Sequence, residues 1–321
     1  MKLDIILITY NQEQYISQAV ESVLMQRVND DVQVRVIVAD DCSKDKTLEI
    51  IKAYEEKSPF PFLYLPAEKN MGIAQNYKRA FEATDADYVA VIEGDDWWVD
   101  PHRIQKHVDC FQHHDDCVLT KNNYLQYSHL NKTYSVEQSS YEKLTLSQSL
   151  RDYVLGNMSA TVFRGDLVRN MDNRVYEFGH ALCREATDVY THLYLLQFGS
   201  GYVLNDVMSV YRVDTGENVS LVTRTDAELL KRAILRHEQS VSLVGEMYQE
   251  DSYVYVLETQ ELVAKNKRNR MYQKLSNYIP PILAELFLFG KPNLLYGLKY
   301  MLRRCVPNKI YHILRGKKKV E

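Results

Sequence analysis

Asp87-Tyr88-Val89-Ala90-Val91-Ile92-Glu93-Gly94-Asp95-Asp96 reads as a buried strand that ends in three carboxylates. Val89 to Ile92 is apolar and partly β-branched, at the length of a strand covered on both faces. Acids crowded at the end of such a strand repel one another and lose hydration. A divalent cation offsets both costs, and hard ions such as Mg2+ or Mn2+ prefer oxygen ligands. A metal held there would in turn hold phosphates. On these residues alone a solvated acidic turn is the plainer alternative, so the neighbouring strands decide the matter.

Three further apolar runs precede this strand: Leu3 to Ile8, Val34 to Ala39 and the shorter Phe62 to Leu65. Between them the spacing becomes helical. Tyr15, Ile16, Ala19, Val20, Val23 and Leu24 make one apolar face; Leu48, Ile51 and Tyr54 make a second; Ile73, Tyr77, Ala80 and Phe81 make a third. Strands alternating with helices imply parallel pairing through right-handed crossovers, hence an α/β domain with a mostly parallel central sheet and helices on both faces. Ligands of such open sheets bind beyond the carboxyl ends of the strands. Thr9-Tyr10-Asn11 follows the first strand, Asp40-Asp41 the second and Glu93-Gly94-Asp95-Asp96 the fourth. The fold therefore gathers all of these polar groups on one rim.

Beyond Pro101 the pattern is mixed. Residues 102–115 and 145–155 have helical spacing, and residues 117–136 read as a hairpin turning near Asn131-Lys132. Ser159 to Phe163 reads as a strand. Thr187 to Phe198 reads as a helix with Thr187 as its cap, and Val203-Leu204 and Val207 to Tyr211 as two short strands around Asn205-Asp206. After about residue 222 the chain is helical to its end, broken at Pro280-Pro281, Pro292 and Pro307. A catalytic domain over 1–220 and a helical region over 221–321 follow from this change of pattern.

The 321 residues suffice for one large domain with an appendage or for two domains, and 45% hydrophobic with 26% charged residues is ordinary for a globular protein. Five scattered cysteines form no framework and suit reduced thiols in the cytosol. The apolar Ile5 to Ile8 segment follows Asp4 and is too short for a signal peptide, so it is expected to be a first strand. The net charge of −4 conceals an asymmetry: residues 303–321 carry +6, leaving −10 for residues 1–302. An acidic body with a basic tail points to one localised anionic partner and away from nucleic acid.

Other motifs are weaker. Asp41 to Thr47 has oxygens at alternate positions, but Lys46 and Lys52 stand where a calcium loop needs glycine and glutamate. It fits a strand-to-helix turn in which Ser43 caps the helix begun by Asp45. Cys110, His113, His114 and Cys117 fall on one helical face, yet four ligands from one straight helix do not converge tetrahedrally on zinc. Asp188, near a helix start, suits the helix dipole and equally suits a general base.

In order and spacing the chain resembles the bacterial members of glycosyltransferase family 2, whose nucleotide-diphospho-sugar fold is of the A type. The resemblance rests on Thr9-Tyr10-Asn11, Ser22 to Gln26, Asp40-Asp41-Cys42-Ser43-Lys44-Asp45-Lys46-Thr47, Asn70-Met71-Gly72 with Asn76, the acidic motif running on to Pro101 and Ile104, Asp188 at a helix start, and Tyr211-Arg212. It covers roughly residues 3–220. Glu93 stands where the family has an aspartate, Thr187 where it has an acid, and Asp214 where histidine is common.

The resemblance implies a metal-dependent, inverting transferase. Thr9, Tyr10, Asn11, Asp40, Asp41, Asn70, Gly72 and Asn76 would form the nucleotide site, with Glu93 and Arg212 also binding the donor. Asp95 and Asp96 would hold Mn2+ or Mg2+, and Asp188 would be the base. The donor would be a nucleotide-diphospho-sugar, commonly a UDP-sugar. The acceptor would be a saccharide or lipid-linked saccharide of capsule, lipopolysaccharide or a related polymer. Residues 282–302 are strongly apolar but carry Glu285, Lys291, Pro292 and Lys299, which disfavours a spanning helix. With the basic terminus they suit attachment to the anionic inner face of the cell membrane; packing on the catalytic domain or an oligomer contact is the alternative. A catalytically silent nucleotide-sugar-binding or scaffold protein of the same fold is the competing reading, and a nucleotidyltransferase lacks its glycine-rich, basic phosphate loop here.

Overall fold

A computed structural model describes residues 1–152, 157–181, 186–215 and 226–276. Residues 1–257 form one compact unit and residues 258–321 a second. The sequence pattern places the division after residue 220, whereas the first unit extends to Leu257 and includes the helix at Asp226–Val244.

The first half is built as its periodicities require. Strands β1 (Lys2–Thr9), β2 (Gln33–Asp40), β3 (Phe62–Tyr64) and β4 (Tyr88–Glu93) are joined by helices α1 (Ile16–Leu24), α2 (Thr47–Glu55) and α3 (Ile73–Glu82). All pair in parallel, in the order β3-β2-β1-β4. β1 shows why both faces must be covered. Leu3, Ile5 and Leu7 pack into one core with Ile16, Val20 and Val23 of α1, while Ile6 and Ile8 pack into the other with Tyr77 and Phe81 of α3.

The second half is mixed. It contains β5 (Trp97–Trp98), α4 (Arg103–His113), β6 (Cys117–Ser128), β7 (Thr133–Glu137), β8 (Lys143–Leu144), α5 (Leu146–Asp152), β9 (Thr161–Arg164), α6 (Gly165–Arg169), α7 (Arg174–Ala181), α8 (Ala186–Leu195) and β10 (Ser200–Val213), then α9 (Asp226–Val244) and α10 (Gln249–Ser276). β9 joins the halves, antiparallel to both β4 and β6, and β10 runs parallel to β6. The expected α/β sheet with helices on both faces is present.

Several local expectations are corrected. The two short strands expected around Asn205-Asp206 are one strand, β10, whose register against β6 slips between Leu204 and Val207. A polar pair that looked like a turn is absorbed as a bulge. Cys117 begins β6, so it does not share a helix with Cys110, and the one-helix arrangement of cysteines and histidines does not exist. Ser43 is not a helix cap: α2 starts at Thr47, and the Ser43 amide and hydroxyl both donate to Asp40. Thr187 lies inside α8 rather than before it. The apolar and basic segment expected to meet a membrane lies outside the described residues. Among those described, no helix is long and apolar enough to cross a membrane.

Candidate active site

The carboxyl ends of β1 and β2 are joined by side chains bonded to backbone. Asn11 takes a left-handed conformation (φ 51°), which asparagine tolerates, and its amide donates to Ser43 Oγ (2.9 Å). Its own Oδ1 accepts the Lys44 amide (2.7 Å). Thr9 Oγ1 donates to Gln12 Oε1 (2.8 Å). Tyr10, at 42% exposure, presents its ring to solvent beside this junction.

Asp40 and Asp41 are both buried, and their oxygens serve the chain itself. Asp41 accepts the amides of Met71 and Gly72 at 2.8 Å each. Gly72 has φ +84°, a region that favours glycine, which explains why this residue sits where the loop turns onto the carboxylate. Asn76 is buried, with Nδ2 donating to the Ala39 carbonyl and Oδ1 accepting from Arg79. Arg79 also donates to the carbonyls of Asp40, Leu65 and Pro66. Asn70 is exposed at the edge of the same loop. Asp41, Gly72 and Asn76 thus shape the floor, and the surfaces left for a ligand are Tyr10 and the loop around Asn70.

Glu93 ends β4 facing α3, where its Oε1 accepts the Tyr77 hydroxyl (2.8 Å), and its amide donates to Ser159 Oγ (3.0 Å). Burial, then the charge of Asp95 and more weakly that of Asp188, push its carboxyl up to about 8, against the opposing Tyr77 hydrogen bond. Asp96 is buried, and burial with the charges of Asp95 and Glu93 raises it well above the usual range. Its Oδ1 accepts the Arg212 amide (2.9 Å) and its Oδ2 the Asn157 side-chain amide (3.4 Å). Asp95, between them, is half-buried. Gly94 permits the close approach of this turn to β1: a Cβ there would lie 2.3 Å from Gln12 Oε1 and 2.9 Å from both Ile16 Cδ1 and Thr9 Oγ1.

Arg212 braces the turn from β10. Its Nε donates to the Asp95 carbonyl (2.8 Å) and its Nη2 to Gln18 (2.7 Å). The guanidinium lies over Trp97 (4.6 Å), Tyr15 (4.7 Å) and Tyr127 (5.5 Å). An aromatic cage of this kind holds a cation by its ring faces. Asp214, two residues on from Arg212, accepts the Ser128 hydroxyl.

Asp188 sits in the first turn of α8, and burial raises its carboxyl to about 6. One turn later the His192 ring Nδ1 pairs with the Asp188 carbonyl (2.6 Å), and burial keeps that imidazole neutral, down to about 4. The charge of Asp188 reaches Glu93, Tyr77 and Tyr124, so it belongs to the same rim despite its distance in sequence. Tyr77, Arg79, Gly94 and Ser159 were not singled out from sequence. Of these only Gly94, between carboxylates at a strand end, carried a readable signal.

Among the described residues no three His, Cys, Asp or Glu side chains converge as a ready-made metal cage. Mg2+ is commonly held by only one or two carboxylates, with phosphate oxygens and water completing the shell. Asp95 fits that donor set together with Glu93, whose repulsion with it a cation would relieve. Asp96, expected as the second ligand, has its oxygens engaged by the Arg212 and Asn157 amides and sits behind them as a support.

Residues 4–163 match the model of the Glycosyl transferase family 2. An uncharacterised Mycobacterium tuberculosis (strain ATCC 25618 / H37Rv) protein is 37% identical over 117 residues, which is 36% of this chain and 33% of that protein. The chain thus spans about a third of the length of the curated relatives it matches first. TuaG of Bacillus subtilis (strain 168), a glycosyltransferase named for teichuronic acid biosynthesis, is 27% identical over 208 residues, 64% of this chain and 76% of that protein. Among solved structures, S. aureus TarS 1–349 in complex with UDP aligns with a TM-score of 0.59 at 20% identity, covering 81% of this chain and 71% of that one. Through the domain at residues 4–163, the chain belongs to glycosyl transferase family 2.

Proposed function

We propose that the protein transfers a sugar, with inversion at the anomeric carbon, from a nucleotide-diphospho-sugar to a hydroxyl of a saccharide or lipid-linked saccharide. The observation that carries this reading is that Glu93, Asp95, Asp96 and Asp188 share one rim with the polar ends of β1 and β2. The aligned structure holds UDP, which makes a UDP-sugar the first donor to test. The name of the Bacillus relative, with its teichuronic acid, favours a cell-surface polysaccharide as product.

In this reading Tyr10 stacks on the nucleobase, while Thr9, Asn11, Asp40, Asp41, Gly72 and Asn76 set the shape of its pocket and Asn70 edges it. Glu93 and Asp95 face ribose and diphosphate, Asp96 supports them from below, and Arg212 fixes the turn that carries both aspartates. Mg2+ or Mn2+ on Asp95 and Glu93 would supply charge neutralisation for the diphosphate leaving group. Asp188 accepts the proton of the acceptor hydroxyl as that oxygen bonds to the anomeric carbon and the bond to the diphosphate breaks. One base suffices, because a charge-neutralised diphosphate leaves without a proton, and a single displacement inverts the centre. A carboxyl raised to about 6 is ionised at neutral pH yet more basic than an ordinary one, as this role requires.

Turnover of a panel of nucleotide sugars with Mn2+, Mg2+ or chelator tests the proposal. Consumption of one donor with either metal, abolished by chelator, and an inverted product by NMR are expected. Binding of donors without turnover under every condition would favour a silent nucleotide-sugar-binding protein.

A further inference from the structure

Lys121 is 6% exposed and has no ion-pair or hydrogen-bond partner among the described residues. It occupies β6 opposite Thr161 of β9 and beside Val203 of β10. Its neighbours fix the face. Leu119 and Phe163, two residues back along each strand pairing, lie in the core covered by α3, α7 and α8. Alternation therefore puts Lys121 and Thr161 on that same face. Thr161 Oγ1 there meets His192 Nε2 of α8 (3.3 Å), and the Lys121 charge contributes to keeping His192 neutral.

Glu93 is on this face too, bonded to Tyr77 of α3, but β9 lies between β4 and β6. β4 and β6 are thus two strand spacings apart, and the pairings put Lys121 in the row of Val91, two residues deeper than Glu93, so about 12 Å separates the two backbone positions. Asp188 stands over the interval, its charge felt at Glu93 and Tyr77 on one side and at Tyr124 of β6 on the other. None of the rim carboxylates supports the ammonium, whose environment is governed by burial and lowers it to about 8. A cation mostly withdrawn from water, with no counter-charge among the described residues, carries a cost that an arriving anion would relieve. The nucleotide half of the rim, formed by β1, β2 and β4, lies on the Glu93 side of the base; Lys121 lies on the other side, where an acceptor would enter.

We propose that Lys121 binds an anionic group, phosphate or carboxylate, carried by the acceptor next to the hydroxyl that Asp188 deprotonates. The inference rests on the sugar-transfer reading given above. It assigns the acceptor to the acidic saccharides and polyol phosphates rather than to neutral glycans.

The test uses the full-length protein with its best donor and matched acceptor pairs: glycerol 1-phosphate against glycerol, and methyl glucuronide against methyl glucoside. Wild type should favour the anionic member of at least one pair by tenfold or more in kcat/KM. Lys121→Met, of similar length and uncharged, should cut that preference at least tenfold, and Lys121→Arg should retain part of it. Lys57→Met, at an exposed lysine, should leave it intact. Calorimetry with glycerol 1-phosphate and methyl glucuronide should show binding to wild type lost in Lys121→Met. Circular dichroism and melting verify that the variant is folded. If UDP affinity falls in Lys121→Met while the acceptor preference stands, the lysine serves the donor and the inference is overturned. No anionic preference in wild type, or one untouched by Lys121→Met, also overturns it while leaving sugar transfer in place. Failure of the wild type to consume any donor defeats the functional reading and this inference together.

Discussion

Replacing Gly94 by alanine adds one methyl group and removes no chemistry, so it isolates the geometry of the acidic turn. The new Cβ would lie 2.3 Å from Gln12 Oε1 and 2.9 Å from Ile16 Cδ1 and Thr9 Oγ1. Ordinary carbon contacts need about 3.5 Å or more. Gln12 is held by the Thr9 hydroxyl at 2.8 Å, so its withdrawal sacrifices a hydrogen bond worth about 1 kcal/mol. Ile16 is fully buried against β1, where overpacking costs about 1–3 kcal/mol. Gly94→Ala should therefore lose about 2–4 kcal/mol in urea denaturation, the sum of those two costs. Any relief gained by moving the turn separates Asp95 from the end of β1, so donor affinity measured by calorimetry with Mn2+ should fall at least tenfold. A change below about 0.5 kcal/mol with unaltered donor affinity would refute the claim that the turn is held against β1.

Two more outcomes follow from the same geometry. The rate of transfer should rise with pH through an apparent pKa near 6 as Asp188 ionises, measured as kcat under saturating donor and acceptor; a flat profile between pH 5 and 7 would exclude it. Arg212→Lys gives up the planar contacts with Tyr15, Trp97 and Tyr127 and the paired bonds to Asp95 and Gln18. About 2–4 kcal/mol of stability and most donor affinity should go with them, as melting and calorimetry would record.

The parallel half was legible because its strands are apolar on both faces and its helices carry one clean stripe each, so local pattern and final burial coincide. β10 was not, because Asn205-Asp206 looks like a turn and only the pairing with β6 shows that it is a bulge. The candidate site was legible where a carboxylate ends a strand, since the topology alone gathers strand ends. What supports those carboxylates was hidden. Tyr77 reads as one more apolar position on α3, yet its hydroxyl reaches Glu93. Ser159 looks like the start of a strand, and it meets the Glu93 amide 66 residues away in sequence. Lys121 sits in a strand where only the packing of α8 reveals that a cation has been buried. Such roles arise from partners distant in sequence, which one-dimensional periodicity does not encode.

The most direct test of the account is Asp188→Asn, assayed at once for turnover, donor binding and stability. The substitution is nearly isosteric and removes the proton acceptor, so turnover should drop by about two orders of magnitude or more while donor affinity stays within a few-fold. The raised carboxyl also means that the folded state binds the proton more tightly than the unfolded chain. Stability then falls as pH rises from about 4 through about 6, by at most about 3 kcal/mol. The amide does not pay this cost, so the variant should be as stable as wild type at pH 7, or more so. A folded Asp188→Asn protein that binds donor and turns it over near the wild-type rate would contradict the account.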